Sequence, residues 1–275
     1  MGDEIFVNYW IGEQPSPPWK ALNEMPPGVD VAPLAFVGIG PNWDLDFSFL
    51  CKVDSAELIQ SWIRDVHANG TKVLFSINDV KLGQVPDVAA FVAGVAQNAA
   101  EWDVDGVDLD YEPPYLEPNQ TLVDVTKALR PALADALGRA PLVTAPIWEP
   151  WSSQPQFLGE FAAELDFVTT MDYTPWPGFD ATVSSFADYA DAIGAPEKIA
   201  IGVSCMGPPP PQPDEDYYNF TPLAEVEQVC KWEPRGGTKK GVMLYTFPYD
   251  VKSRTGSGTG YPDGTFTDTI IENLP

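Results

Sequence analysis

The sequence predicts a closed (β/α)8 barrel. Three features lead there: regular alternation of strand and helix patterns, eight apolar strand-like runs, and a length of 275 residues, close to the roughly 250 residues of such barrels. No linker or shift in composition divides the chain, so residues 1–275 read as one domain. A doubly wound open sheet is the alternative, but no GxGxxG follows a strand and no Walker loop appears.

The elements follow in order. IFVNYW (Ile5–Trp10) is the first strand and VAPLAFVGIG (Val31–Gly40) the second. Between them, the prolines of GEQPSPPWKALNEMPPGVD permit only a short, irregular crossover helix near Trp19–Asn23. AELIQSWIRDVHANG places Leu58, Ile59, Trp62, Ile63 and Val66 on one helical face and stops at Asn69-Gly70. KVLFSI (Lys72–Ile77) is the third strand, and the next helix buries Val88, Phe91, Val92, Val95 and Ala99. DGVDLDYE (Asp105–Glu112) is the fourth strand; the helix after it, TLVDVTKALRPALADALG, carries Pro131, which predicts a kink or break. LVTAPIW (Leu142–Trp148), LDFVTTMDY (Leu165–Tyr173), KIAIGVS (Lys198–Ser204) and GVMLYTF (Gly241–Phe247) are the remaining strands. Helices around FLGEFAAEL, SSFADYADAIG and PLAEVEQVCKW alternate with them, and a short one lies near Asp268–Leu274. GPPPPQPDEDYYN (Gly207–Asn219) reads as a stiff surface loop after the seventh strand.

Composition narrows the chemistry. Hydrophobic residues make up 44%, enough for a substantial core, and 15 Lys+Arg against 40 Asp+Glu leave a formal charge of −25. Such a surface repels nucleic acid and anionic membrane and suits a neutral ligand. Acidity also serves solubility alone, and it points towards an acid-tolerant or secreted protein. The start, MGDEIFVNYW, lacks the basic and apolar regions of a signal peptide, so the expectation is an intracellular chain or a secreted one already trimmed. No run approaches a membrane span. Cys51, Cys205 and Cys230 have no CxxC spacing, which disfavours a zinc site or disulfide framework. Three sequons begin at Asn69, Asn119 and Asn219. The only histidine, His67, reads as a surface cap residue at a helix end. Triad and multi-histidine metal chemistry are therefore hard to build, and carboxylates remain.

DGVDLDYE concentrates them. Residues two apart on a strand share a face, roughly 6.6 Å apart, so Asp108, Asp110 and Glu112 form one row while Val107, Leu109 and Tyr111 face the helices. Glu112 falls last, at the C-terminal mouth where barrel active sites sit. Several carboxylates in a partly dry lumen cannot all ionise, so a proton is retained among them. Glu112 is then the expected general acid, with Asp110 sharing or relaying the proton and Asp108 buffering behind. A Mg²⁺ or Ca²⁺ site and a solvated edge strand are the competing readings. Trp10, Trp43, Trp148, Trp151, Trp176 and Tyr249 follow predicted strands and are candidate sugar-stacking walls or barrel-end packing; Trp62 and Trp102 are predicted core.

DGVDLDYE resembles the DGxDxDxE signature of glycoside hydrolase family 18, the chitinases and many endo-β-N-acetylglucosaminidases. AFVGI, KVLFSI, MDY (Met171–Tyr173), KIAIGV and GVMLYTFPYD resemble further strands of that family's barrel. The resemblance implies Glu112, Asp110, Asp108 and Tyr173 as catalytic residues and Phe36, Met171 and Tyr245 beside the sugar; with Tyr9, Trp148 and Trp176 these make up the expected substrate-binding set. The resemblance implies no metal or organic cofactor and an N-acetylglucosamine oligo- or polysaccharide as partner; a monomer is the expected state. It also implies substrate-assisted retention, in which the substrate's acetamide oxygen, not a second carboxylate, attacks the anomeric carbon. Chitin is the leading substrate expectation, the chitobiose core of N-glycans the second, and a non-catalytic lectin the third. Three positions depart from the family pattern: its Gly-Gly is Asn78-Asp79, its Asp after the Tyr is Thr174, and its eighth-strand Trp is Tyr245.

Overall fold

The computed structural model describes residues 4–14, 19–174, 176–206, 219–235, 237–252 and 259–275. Its sheet closes on itself. Among the described residues the chain runs β1 (Ile5–Asn8), β2 (Trp10–Ile11), β3 (Val31–Ile39), β4 (Leu45–Asp46), α1 (Ala56–Ala68), β5 (Lys72–Asn78), α2 (Val88–Trp102) and β6 (Gly106–Asp110). It continues through α3 (Gln120–Leu137), β7 (Leu142–Ile147), α4 (Pro155–Ala163), β8 (Phe167–Thr170), α5 (Phe179–Ile193), β9 (Ile199–Ser204), α6 (Leu223–Lys231), β10 (Gly241–Tyr245) and α7 (Thr265–Asn273). Parallel pairing follows β1-β10-β9-β8-β7-β6-β5-β3, and the bridge Val7↔Val31 between β1 and β3 completes an eight-stranded barrel. The short β2 and β4 both pair with β3.

Strand ends depart from the sequence reading in instructive ways. The first strand breaks at Tyr9, where the backbone turns its N–H to Leu244 O, before Trp10 resumes pairing as β2. Among its described residues the first crossover holds a 3-10 turn, Leu22–Glu24. α3 runs through Pro131 without ending there; Pro131 and Lys127, whose carbonyl loses its helical donor, are both exposed, so water can serve that oxygen. Gly207–Asn219 lies outside the described residues except for Asn219.

Gly106 shows why the second position of the acidic motif is glycine: a Cβ there would stand 1.9 Å from Leu142 O on the neighbouring strand. Beneath it the barrel floor is tied by charge. His67, read from sequence as a surface cap residue, sits half-buried in the last turn of α1 with Nε2 2.8 Å from Asp105 Oδ2. Arg139 donates to both Asp105 and Asp103 on the same floor. Burial pushes the Asp105 carboxyl up, but hydrogen bonds from His67 and the Val73 N–H, with the Arg139 charge beside them, outweigh it and hold the group below its usual value. No disulfide links the three cysteines, of which Cys205 and Cys230 are buried.

Candidate active site

Register places the acidic row among matched partners. Ser76, Asp108 and Thr144 lie side by side across β5, β6 and β7, and one layer higher Asn78 pairs with Asp110. Asp108 therefore meets hydroxyls from both flanking strands and from Tyr9 at the break after β1. Thr144 Oγ1 donates to its Oδ1 at 2.6 Å, while Tyr9 OH and Ser76 Oγ donate to Oδ2 at 2.7 and 2.9 Å. Burial raises the Asp108 carboxyl, and these three donors restrain the rise. With its lone pairs so occupied, Asp108 is an anchor for the layer above. Among the described residues no group of three or more His, Cys, Asp or Glu is placed to hold a metal ion.

Asp110 is only 2% exposed. Asn78 Nδ2 donates to its Oδ2 at 2.7 Å, whereas its Oδ1 is shut from water and meets no donor. Its carboxyl is raised well above the usual range, first by burial and then by the charge of Glu112.

β6 ends at Asp110, so Glu112 stands beyond the strand rather than on it, exposed yet facing the cleft. Its Oε1 accepts from the same Asn78 amide at 3.2 Å. The sequence reading expected desolvation to act on Glu112; the structure applies it to Asp110 and leaves Glu112 at the rim.

These carboxyls face a cavity of about 280 Å³ at the C-terminal mouth. Tyr9, Phe36, Trp148, Met171, Tyr173 and Tyr245 from the sequence-derived set line it together with Asp110 and Glu112. Tyr173 and Tyr245 stack with centroids 6.0 Å apart and planes 12° apart, and Tyr9 meets Tyr245 edge-on at 5.9 Å. Burial, with neighbouring negative charge, raises all three phenols, keeping them neutral donors. A larger depression, about 690 Å³, lies on the barrel wall between α5 and Trp232–Arg235, away from the acidic row.

Other aromatics take different places. Trp10 is fully buried, donates to Lys20 O at 2.8 Å and packs edge-on against Trp62. Trp151 is likewise buried, stacked on Phe157 and Phe161, and Tyr249 is 6% exposed. These three are barrel packing. Trp43 lies in a separate depression with Pro86 and Phe91. Trp176, expected in the substrate set, directs its N–H to Glu225 at 2.8 Å and lies outside the cleft lining; the same carboxylate accepts Phe179 N–H, pinning the start of α5 to α6.

The cleft also contains residues that the sequence-derived binding set did not include. Pro146 and Met243 add apolar wall, and Asn219 adds an amide whose Oδ1 is buried without a donor. Asn219 is fixed from behind: Phe220 bridges Cys205, and Thr221 exchanges hydrogen bonds with Ser204 at the end of β9. Its sequence signals, a sequon and the end of a proline-rich run, say nothing of a cleft.

Comparison with known proteins finds the same barrel. Residues 9–244 match the family model described as the endo-beta-N-acetylglucosaminidase EndoS TIM-barrel domain. A family 18 chitinase from Pseudoalteromonas aurantia superimposes with a TM-score of 0.72 at 19% identity, covering 98% of this chain and 100% of its own. The apo endo-beta-N-acetylglucosaminidase of Cordyceps militaris gives 0.67 at 20% identity, covering 100% of this chain and 92% of its own. A family 18 N-acetylglucosaminidase from Paenibacillus barengoltzii gives 0.68 at 15% identity, covering 98% and 100%. Among curated proteins no sequence matches.

Proposed function

This chain belongs to the endo-beta-N-acetylglucosaminidase EndoS TIM-barrel domain family, as a glycoside hydrolase of the family 18 type, and on that premise we propose that it cleaves the β-1,4 bond between two N-acetylglucosamine residues with retained configuration. The observation that carries this reading is the Asp110–Glu112 pair: one carboxyl buried, the next at the rim of the same cleft, both held by one amide.

In this reading Glu112 gives its proton to the glycosidic oxygen as the bond breaks. The acetamide oxygen of the same sugar attacks the anomeric carbon and closes an oxazolinium ring, the route reserved for substrate-assisted glycosidases. Asp110 accepts the acetamide N–H and, once ionised, offsets the positive charge that develops. Tyr173 supplies a phenolic hydrogen bond to the acetamide, and Tyr245 supports the ring face. Glu112 then removes a proton from water as it opens the ring, which restores the starting state. Asp108 keeps Tyr9 and the layer beneath in place.

The family match favours the chitobiose core of N-glycans as the bond cut, ahead of chitin, although chitinases share the barrel. Intact Glu112 and Asp110 argue against a lectin. Digestion of a high-mannose glycopeptide beside chitin oligosaccharides, with the product anomer followed by NMR, tests the proposal. Release of the glycan as the β-anomer with one N-acetylglucosamine left on the peptide is the expected result. Binding without cleavage of either substrate would overturn it.

A further inference from the structure

Asn78 interrupts the resemblance at the end of the third barrel strand, where the family pattern has glycine. Its side chain does something a glycine cannot. Nδ2 carries two N–H hydrogens, and it stands 2.7 Å from Asp110 Oδ2 and 3.2 Å from Glu112 Oε1. One amide nitrogen therefore spans both carboxyls of the candidate site. β5 and β6 put it there: Asn78 and Asp110 are direct partners in the parallel register. Below it, Ser76 makes the corresponding contact to Asp108, so β5 supplies one donor to each buried carboxyl of β6.

Resting on the function proposed above, we propose that Asn78 is a positioning residue of this site: its bridging amide sets the spacing of Asp110 and Glu112 and fixes how tightly they hold their shared proton. Two carboxyls sharing a proton titrate as a pair. A neutral donor to both favours the ionised forms, so Asn78 eases proton release from a pair that burial would otherwise keep loaded. The remaining titratable groups facing Asp110 are Asp108 beneath it and the phenols of Tyr9, Tyr173 and Tyr245, each of which makes ionisation harder or is itself kept neutral. Among the described residues Asn78 is thus the donor that opposes burial at Asp110. It touches neither the bond cleaved nor the acetamide in this reading, so it acts through the carboxyls.

The test compares the wild-type chain with Asn78→Ala and Asn78→Ser. Turnover of 4-nitrophenyl N,N′-diacetyl-β-chitobioside is measured from pH 4 to 9, with ¹³C-carboxyl NMR titration of the Asp110–Glu112 pair beside it. Asn78→Ala should lower kcat on the order of 10- to 100-fold, the size expected when a hydrogen bond to a charged group is lost, with KM within about two-fold. Both limbs of its kcat profile and the carboxyl titration should move to higher pH. Asn78→Ser, which keeps one shorter donor, should fall between the two.

Unmoved carboxyl titration in Asn78→Ala would overturn this assignment whether or not the substrate is cleaved. A drop in melting temperature with parallel losses in kcat and KM but unchanged pH limbs would do so too, since that describes a merely structural side chain. If the wild-type chain does not cleave the chitobioside or the glycopeptide, the proposed hydrolysis fails, while the titration still decides what Asn78 does to the pair.

Discussion

Asp110→Asn should make the protein more stable and less active at once. Asp110 is 2% exposed and its Oδ1 has no donor; a buried acceptor left unsatisfied costs about 1–3 kcal/mol. The substituted amide keeps a carbonyl for the Asn78 side chain and places an NH₂ where Oδ1 was, next to the Glu112 carboxylate. The expected gain at neutral pH is therefore about 1–3 kcal/mol, or roughly 2–4 °C of melting temperature per kcal/mol for chains near this size. The pH dependence has a definite sign. The folded carboxyl lies well above its ordinary 3.8, so between those values the folded state binds more protons than the unfolded one, and wild-type stability falls as pH rises. The amide of the variant cannot titrate. The two proteins should melt together below about pH 4 and separate as pH rises through the window above it. Thermal melts from pH 3.5 to 8.5 measure the gap, and kcat on the chitobioside should drop by about 100-fold or more. A variant that melts below wild type at neutral pH, or a gap that does not change with pH, would refute the account of Asp110.

Glu112→Gln should lower kcat by about 10²–10⁴-fold while leaving the affinity for N,N′-diacetylchitobiose within a few-fold, measured by calorimetry; retained turnover would remove Glu112 from the acid role. Thr144→Val deletes the 2.6 Å donor to Asp108 and should cost about 1.5–3 kcal/mol. That loss should be larger at pH 8 than at pH 4, because the hydroxyl serves the ionised form; denaturant melts at both pH values check the sign. Asp105→Asn at the barrel floor should destabilise by about 1–3 kcal/mol at neutral pH with kcat unchanged at 25 °C. Its wild-type contribution is present above the ordinary carboxylate value and fades as pH falls through the lowered folded one, so the two proteins should converge in acid.

The barrel and the acidic row were readable because both rest on short-range periodicity. Alternation of Val107, Leu109 and Tyr111 with acids could be satisfied only by a strand with two different faces. Trp10 and Trp151 were harder, since an aromatic residue after a strand has the same local pattern whether it lines a cleft or plugs the barrel end. Only the partners reveal which: Lys20 O for the first, Phe157 and Phe161 for the second. The end of β6 was misplaced by two residues because Tyr111 and Glu112 continue the alternation after pairing has ceased. Asn78 looked like a departure from a pattern, and its meaning emerged only when the register set it against Asp110. Asn219 depends on an antiparallel bridge between Cys205 and Phe220, and no local signal encodes that long-range contact.

The bridge also bears on how such a chain can change over evolutionary time or at the bench. It fastens Cys205, just after β9, to Phe220, shortly before α6, so the chain between them leaves and returns at fixed points beside Asn219. Doubling the number of residues in such an excursion costs only about 0.6 kcal/mol of closure entropy. This connection is therefore the place to graft foreign segments when retuning which glycans the cleft admits, because the acid pair, carried by a different strand, need not move.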